Sequence, residues 1–504
     1  MDRDAFTTTP WQDNFEIRIP QSPDTKAPFD VIIAGAGITG ITTGLFLQQA
    51  GKKCLILEAH TVCFGTSSAT TAHLNTVLDT SYPELIKKFG TASSRLVAQG
   101  AKEAIGLIKE HIKAYEIDCD FEEKKGYLYA QNEKEDDELG KMLEGMRTAG
   151  IEAAPGSSIP LPVPFTTAIQ FPGQAQLHPL KYLKALLHQF LEAGGAIRTG
   201  APVQKVVQKE GIQEVYSANG RYSAADVVYA THIPPGINLL HFRCAPYRSY
   251  VLGIRLADHS YPDALVYDIE DPYHYFRTAR HQGAPLLIVG GCDHKTGHAD
   301  NTGQLFRELE AYAAKFFRIA SIPYRWSSQY YEPADGLPYI GRLPGNNDHL
   351  YTATGYSGNG MIFGTLAGRI LCNLITGNDN PYKTLLAPSR IKPVAGFSNF
   401  IKENADVVRH FIGDRLSVEV PEAFAGLGIG EGRVVKQGGQ PIAVYKNEEG
   451  NIFALDPVCP HAGCLVQWNN AERSWDCPCH GSRFDSTGAV LNGPSQKKLR
   501  QLNR

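Results

Sequence analysis

Residues 29 to 58 carry a pattern that few folds can accommodate. Phe29 to Ala34 is an apolar run of strand length, followed by Gly35-Ala36-Gly37-Ile38-Thr39-Gly40. Ile38 to Ala50 carries Ile41, Leu45 and Leu47 at helical spacing and stops at Gly51, and Cys54 to Leu57 is a second strand-sized run. This predicts a strand–helix–strand unit in about 30 residues. Gly35 permits the tight turn, Gly37 lets backbone approach a pyrophosphate, and Gly40 lets helix and strand pack closely. The helix start, at Ile38 and Thr39, offers free N–H groups and the positive end of its dipole to phosphates. Glu58 ends the second strand 18 residues after Gly40, with Ala59 beside it. A carboxylate there can accept hydrogen bonds from a ribose. The pattern predicts dinucleotide binding.

The remaining chain extends this α/β reading. Its 504 residues suggest about three domain-sized pieces. Helices are expected over Leu96 to Ile112, Leu180 to Leu191, Leu305 to Phe317 and Met361 to Ile375. Strands are expected at Val203 to Val207, Asp226 to Tyr229, Leu286 to Val289 and Leu350 to Thr352. Residues 1–28 read as a polar lead-in arm, 29–380 as the α/β body, 381–414 as a Pro-rich linker, and 415–504 as a small all-β module. That module has short strands at Leu416 to Val420, Ile442 to Tyr445 and Ile452 to Leu455. A net charge of −3 gives no general reason to expect nucleic-acid binding. No apolar stretch approaches the ~18 residues of a membrane span. The acidic first twenty residues lack a signal-peptide core, so a cytoplasmic location is expected.

Two further segments extend the dinucleotide reading. Gly65-Thr66-Ser67-Ser68-Ala69-Thr70-Thr71-Ala72 is a small, hydroxyl-rich loop suited to phosphate and flavin contacts. Leu350 to Met361 reads strand, Gly-rich turn (Gly355, Gly358, Asn359, Gly360) and helix, which would aim a second helix N-terminus at a flavin ring. With Gln176-Leu177-His178-Pro179, Asp226 to Thr231 and Asp335 to Gly341, these segments resemble the D-amino-acid-oxidase-like FAD-dependent oxidoreductases over residues 29–378. The resemblance implies a Rossmann-like FAD-binding domain interleaved with a mixed β-sheet substrate domain. It implies FAD contacts at the fingerprint, at the Gly65 to Ala72 loop, near Val203 by the adenine, at Ala230 and Thr231, and at Gly355 to Met361 by the isoalloxazine. Members oxidise amines or amino acids by passing a hydride to FAD. Candidates for the substrate pocket are Arg277, His73 and Tyr339, each with structural packing as its alternative.

Ten cysteines are too few for a disulfide scaffold, but four of them fall within 21 residues. Cys459-Pro460-His461 and Cys477-Pro478-Cys479-His480 each supply a thiolate and an imidazole. That set suits a Rieske 2Fe–2S centre, and a Cys₂His₂ zinc site is its chemical competitor. Zinc fingers usually take paired Cys from one segment and paired His from the other, which differs from this distribution. Residues 415–504 resemble Rieske domains, with Gly493-Pro494 matching the proline loop over the cluster. The resemblance implies Cys459 and Cys477 on one iron, His461 and His480 on the other, and a Ser482 hydroxyl bonded to a bridging sulfide. It also implies a Cys464–Cys479 disulfide between the two ligand loops. Phe484 stands where cytochrome bc-type Rieske proteins carry tyrosine.

A two-electron carrier and a one-electron carrier on one chain point to a dehydrogenase. A small amine or amino acid would reduce FAD, and the cluster would relay electrons singly to an acceptor protein. The alternatives are a reductase running electrons from a donor protein through the cluster to FAD, and a redox-sensing or docking protein without turnover.

Overall fold

The computed structural model describes residues 3–19, 28–345, 348–391 and 426–502. The expected strand at Leu416 to Val420 lies outside them. The first strand forms over Phe29–Ala34, the first helix over Ile38–Gln49 and the second strand over Cys54–Leu57. These open a sheet in the order Tyr339–Arg342, Leu350–Thr354, Gly220–Tyr229, Phe29–Ala34, Cys54–Leu57, Ala196–Arg198. All neighbours run parallel except the first pair. A hairpin of Val203–Lys209 and Ile212–Ser217 extends from Gly220–Tyr229. The strands are apolar on both faces because core residues cover both sides, as parallel sheets require.

Helices Ile38–Gln49 and Gly360–Thr376 pack closely. A Cβ at Gly364 or Gly368 would come within 2.7 Å of Ile38 or Thr42. This close approach brings the N-termini of both helices to one place. The expected helices at 96–112 and 180–191 form as Thr91–Ala114 and Pro179–Glu192.

A second, mixed sheet contains Ile319–Pro333, Cys244–Leu256, Ala284–Lys295, Tyr275–His281, Leu265–Asp268, Glu122–Ala130, Thr167–Gln176 and His73–Leu74, in that order. Its strands come from widely separated parts of the chain, so the two sheets are interleaved in sequence. The C-terminal module has a three-stranded sheet, Gly432–Gln437, Gln440–Lys446 and Ile452–Leu455, and a four-stranded one, Gln467–Asn469, Ser474–Asp476, Arg483–Asp485 and Val490–Asn492. No helix among the described residues is long and apolar enough to cross a membrane.

Two expectations change. The polar arm is buried over Arg3, Asp4, Thr9 and Trp11, each at most 5% exposed. It acts as a strap between body and module. The start of the Pro-rich segment is packed rather than free: Tyr382 and Leu386 are buried, and Arg390 pairs with Asp335 at 2.7 Å.

Candidate active site

The fingerprint turn is as tight as backbone allows. Gly35 has φ +106°, and a Cβ there would lie 2.4 Å from the Ala230 carbonyl oxygen. A Cβ on Gly40 would lie 1.9 Å from the Gly35 carbonyl oxygen. Any side chain at these two positions would force the turn apart. The turn borders a cavity of ≈ 430 Å³. Gly35, Gly37, Ile38, Thr39, Glu58 and Ala59 line it, as do Gly65, Thr66, Ser67, Thr70 and Thr71 from the hydroxyl-rich loop. Val203, Ala230, Thr231, Gly358, Gly360 and Met361 complete the expected lining. Gly40, Gly355 and Asn359, also expected at the cofactor, do not line it. Asn359 accepts from the Asp79 N–H at 3.1 Å and donates to Asn75 at 3.1 Å. Glu58 accepts from the backbone N–H of Ala36 at 2.7 Å and of His60 at 2.9 Å. Burial pushes its carboxyl upward, and these backbone donors oppose the shift. The cavity fits FAD: it joins the helix start at Ile38 and the Glu58 carboxylate to a second helix start at Gly360, and the glycines leave the turns open.

None of the three catalytic candidates lines the cavity. Arg277 does not line it. Its guanidinium donates to the carbonyls of Thr71 at 2.6 Å and Ala72 at 3.0 Å and lies over the Trp11 ring. It therefore braces the hydroxyl-rich loop from behind. Tyr339 is also outside the lining and packs under the Arg390 guanidinium at 3.9 Å. His73 sits one layer back. Its Nδ1 is 2.9 Å from the Tyr267 hydroxyl, its ring meets the Tyr275 ring edge-on, and its Nε2 is buried without a partner. Burial, reinforced by the Arg277 charge, holds it well below the ordinary imidazole range and hence neutral.

The polar residues that do face the cavity from the mixed sheet are Ser249, Tyr275, Ser328 and Tyr330, with Tyr356 and Ser357 from the second turn. The Tyr275 and Ser249 hydroxyls are 3.0 Å apart, and Tyr330 donates to Asp293 at 2.8 Å. Burial pushes the Asp293 carboxyl up to about 7 and that of Asp79, behind Gly358, up to about 6. Sequence reading missed these groups, which converge from strands about eighty residues apart. No arginine or lysine lines the cavity among the described residues.

In the C-terminal module the loops Cys459–Cys464 and Cys477–Ser482 face each other. Cys459 and Cys477 are buried free thiols in contact with one another. The His461 and His480 rings lie 4.9 Å apart, and Nδ1 of each is buried without a partner. Two orphaned imidazole nitrogens beside two thiols form a donor set that leaves buried polar atoms unsatisfied unless a metal centre takes them. Cys464 and Cys479 are joined as a disulfide across the loops, with Cα atoms 6.5 Å apart. The Ser482 hydroxyl accepts from the Ser495 N–H at 2.9 Å. Phe484 is fully buried, opposite Trp475 on the neighbouring strand.

Comparison with known proteins agrees with both halves. Residues 30–374 match the FAD dependent oxidoreductase family, and residues 425–503 match the Rieske [2Fe-2S] domain. The chain belongs to the FAD dependent oxidoreductase family and carries a C-terminal Rieske domain. It is 35% identical over 477 residues to a putative Rieske 2Fe-2S iron-sulfur protein of Bacillus subtilis, covering 94% of this chain and 93% of that one. It is 26% identical over 365 residues to the gamma-glutamylputrescine oxidoreductase of Escherichia coli, covering 69% of this chain and 84% of that one. Among solved structures, glycine oxidase from Geobacillus kaustophilus matches with a TM-score of 0.59 and 20% identity, over 72% of this chain and 99% of that one. That likeness is one of fold. FAD is thus the cofactor of the body and a 2Fe–2S cluster that of the module.

The Rieske module is docked on the FAD-binding body through buried charges. Arg483 donates to the Asp4 carbonyl at 2.6 Å and to the Asp476 carboxylate at 3.0 Å. Glu472 accepts from the Ser327 N–H at 2.9 Å and hydroxyl at 2.6 Å. The ligand loops face the body. His461 Nε2 donates to the Gly236 carbonyl at 3.0 Å, and the His241 ring meets the His461 ring edge-on at 4.6 Å.

Proposed function

We propose that the protein dehydrogenates an amine or amino-acid-like substrate and relays the electrons one at a time through its Rieske cluster to an external acceptor protein. The observation that carries this reading is the short connection between the FAD cavity and the cluster loops. The cavity-lining Thr66 donates to the Gln329 carbonyl at 2.9 Å, and the Gln329 side chain donates to the Gly481 carbonyl at 2.9 Å. In parallel, the cavity-lining Ser357 donates its N–H to the Tyr331 carbonyl at 3.0 Å, and the Tyr331 hydroxyl donates to the His480 carbonyl at 3.1 Å. In each route a single residue of strand Ile319–Pro333 separates the cavity wall from the loop that holds His480.

FAD in the cavity would accept two electrons with a hydride, and a 2Fe–2S cluster would carry one electron at a time. The chain's own residues supply position and charge. The two helix starts and the hydroxyl-rich loop hold the cofactor, and the Tyr275, Ser249 and Tyr330 hydroxyls present hydrogen bonds to a substrate. Cys459, Cys477, His461 and His480 would hold the cluster.

The pocket chemistry favours an amine over a carboxylate as the group recognised. Among the described residues no arginine or lysine lines the cavity, whereas Asp79 and Asp293 stand just behind its wall, each raised by burial and Asp293 further by the like charge of Asp79. A positively charged amine would relieve that burial penalty.

An anaerobic panel of amines, imino acids and amino acids tests this reading, with the flavin visible band and the cluster's electron paramagnetic resonance followed together. A substrate that bleaches the flavin and then yields the reduced-cluster signal is the expected result. Flavin bleaching with a cluster that stays oxidised, or no reduction by any organic substrate, would overturn it.

A further inference from the structure

We propose that the Rieske module is itself part of the FAD-binding site: its segment Val490–Gln496 closes the cavity, so FAD is held between the two modules. The inference rests on the reading that FAD occupies the cavity at Gly35 to Gly40.

Val490, Leu491, Asn492, Gly493, Pro494 and the two residues after them line the same cavity as Gly35, Glu58 and Val203. The contacts across the seam fall on the ribose-facing and adenine-facing parts of the body. Gln496 donates its side-chain amide to the Val203 carbonyl at 3.2 Å. The His60 imidazole, two residues beyond Glu58, lines the cavity beside Val490 and lies close enough for the Val490 carbonyl to act on its ring. The nearest non-neighbouring atom to a Cβ built on Gly65 is the Asn492 side-chain oxygen, at 3.9 Å. On its other side the segment is tied into its own module, where the Ser495 N–H donates to Ser482 in the cluster-binding loop. One stretch of chain therefore has one face on the FAD cavity and the other on the cluster loop. Asn492 also donates to Asp4 of the buried arm, which anchors the segment at a third point.

A cofactor lying along Glu58 and Val203 would then have the module across it. Its departure requires the Gln496 and His60 contacts to open, so the barrier to release includes the docking of the second module. Neither contact is needed to hold iron, which separates this role from that of the cluster ligands.

The test measures FAD release from the intact, two-cofactor protein after dilution, read by the rise of free-flavin fluorescence. Gln496→Ala is expected to release FAD about fivefold faster, the effect of losing one net hydrogen bond. Gln496→Ala with His60→Gln is expected to be faster still, and an unchanged cluster resonance signal shows that the module remains folded. A double variant with a release rate within about twofold of the parent, below the effect of one hydrogen bond, overturns the inference. A second measurement needs no variant: backbone hydrogen exchange over Val490–Gln496 in the parent, with and without FAD. Slower exchange in the FAD-bound form is expected, and equal exchange overturns the inference. Protein that binds no flavin at all defeats the prior reading of the cavity. Flavin-bound protein indifferent to these changes defeats only the shared wall.

Discussion

Replacing Arg483 by methionine should undock the Rieske module while leaving both cofactor motifs intact. Arg483 is fully buried and reaches three groups: Asp4 at 3.1 Å, Asp476 at 3.0 Å and the Ser474 hydroxyl at 3.1 Å. Asp4 belongs to the arm and is fixed to the body by a 3.0 Å hydrogen bond from its N–H to the Phe64 carbonyl. Ser474 and Asp476 belong to the module. Removing one partner from a buried ionic group costs about 3–5 kcal/mol, because the other partners are left charged and unsolvated. As cationic partners Asp476 keeps the more distant Arg248, at 3.8 Å, and Asp4 keeps Arg3, at 3.6 Å. The deficit therefore falls on the seam. Burial alone would raise Asp4, but Arg483, Arg3 and Arg248 outweigh it and hold its carboxyl below the ordinary 3.8; Asp476 behaves likewise under Arg483 and Arg248. Carboxyls depressed in this way stabilise the folded state above their unfolded pKa and lose that contribution as pH falls through the folded value. The gap between parent and variant should thus be constant between about pH 5 and 8 and narrow below about pH 4. Denaturant unfolding followed by flavin fluorescence and by cluster absorbance is the assay. The two probes should coincide in the parent and separate in Arg483→Met, with the module lost first. Asp4→Asn combined with Arg483→Met should recover part of the loss by removing a stranded charge. Coincident transitions at the parent's midpoint, or a double variant less stable than the sum of the singles, would refute the argument.

Glu58→Ala should weaken FAD binding roughly 10- to 150-fold, the equivalent of about 1.5–3 kcal/mol for charge-assisted hydrogen bonds, as measured by flavin retention on dilution; undiminished occupancy would remove Glu58 from the ribose site. Cys464→Ser should make the cluster labile to chelators by freeing two loops of little regular structure, without changing flavin content. Asp293→Asn should alter two pH profiles. The folded carboxyl is raised by burial to about 7 from an ordinary 3.8, so the folded protein holds a proton that the unfolded chain gives up. Stability should therefore fall in the parent as pH rises from about 4 to about 7, and this component of the slope should vanish in the asparagine variant. In the same range the parent's KM for a cationic amine should improve as Asp293 ionises, and the variant's should not.

How much was legible depended on whether the chemistry lay in contiguous chain. The fingerprint and the two ligand loops each place their groups by local geometry, and strand, turn and helix at residues 29–57 form where the pattern put them. The substrate side was not legible. Arg277 illustrates the reason. It lies on strand Tyr275–His281 and shares the face of Tyr275, two residues away, which does line the cavity. Two residues carry a side chain about 7 Å further along, which puts Arg277 outside the cavity and beneath the Thr71–Ala72 backbone. Nothing in the local sequence sets that distance; it follows from how the hydroxyl-rich loop crosses the sheet. The arm is a stronger case. Its charges, Arg3 and Asp4, look solvent-facing, and their partners, Glu472 and Arg483, lie more than 460 residues away.

The docking geometry bears on why the two cofactors share a chain. A module that only delivered electrons to distant partners would gain from a loose tether and exposed ligand loops. Here the loops are turned inward. The His461 imidazole donates to Gly236 of the body, His241 packs against it, and the His480 and Gly481 carbonyls accept from Tyr331 and Gln329. All four contacts use the ligand segments themselves rather than the outer strands of the module. The same side of the module supplies Val490–Gln496 to the FAD cavity. A buried charge cluster whose partners lie at opposite ends of the chain fixes this orientation, and buried ionic groups are more apt to specify one arrangement than to add net stability. The fold thus spends its docking interface on holding the cluster loops against the FAD cavity, an arrangement suited to passing electrons within one chain before any partner is met.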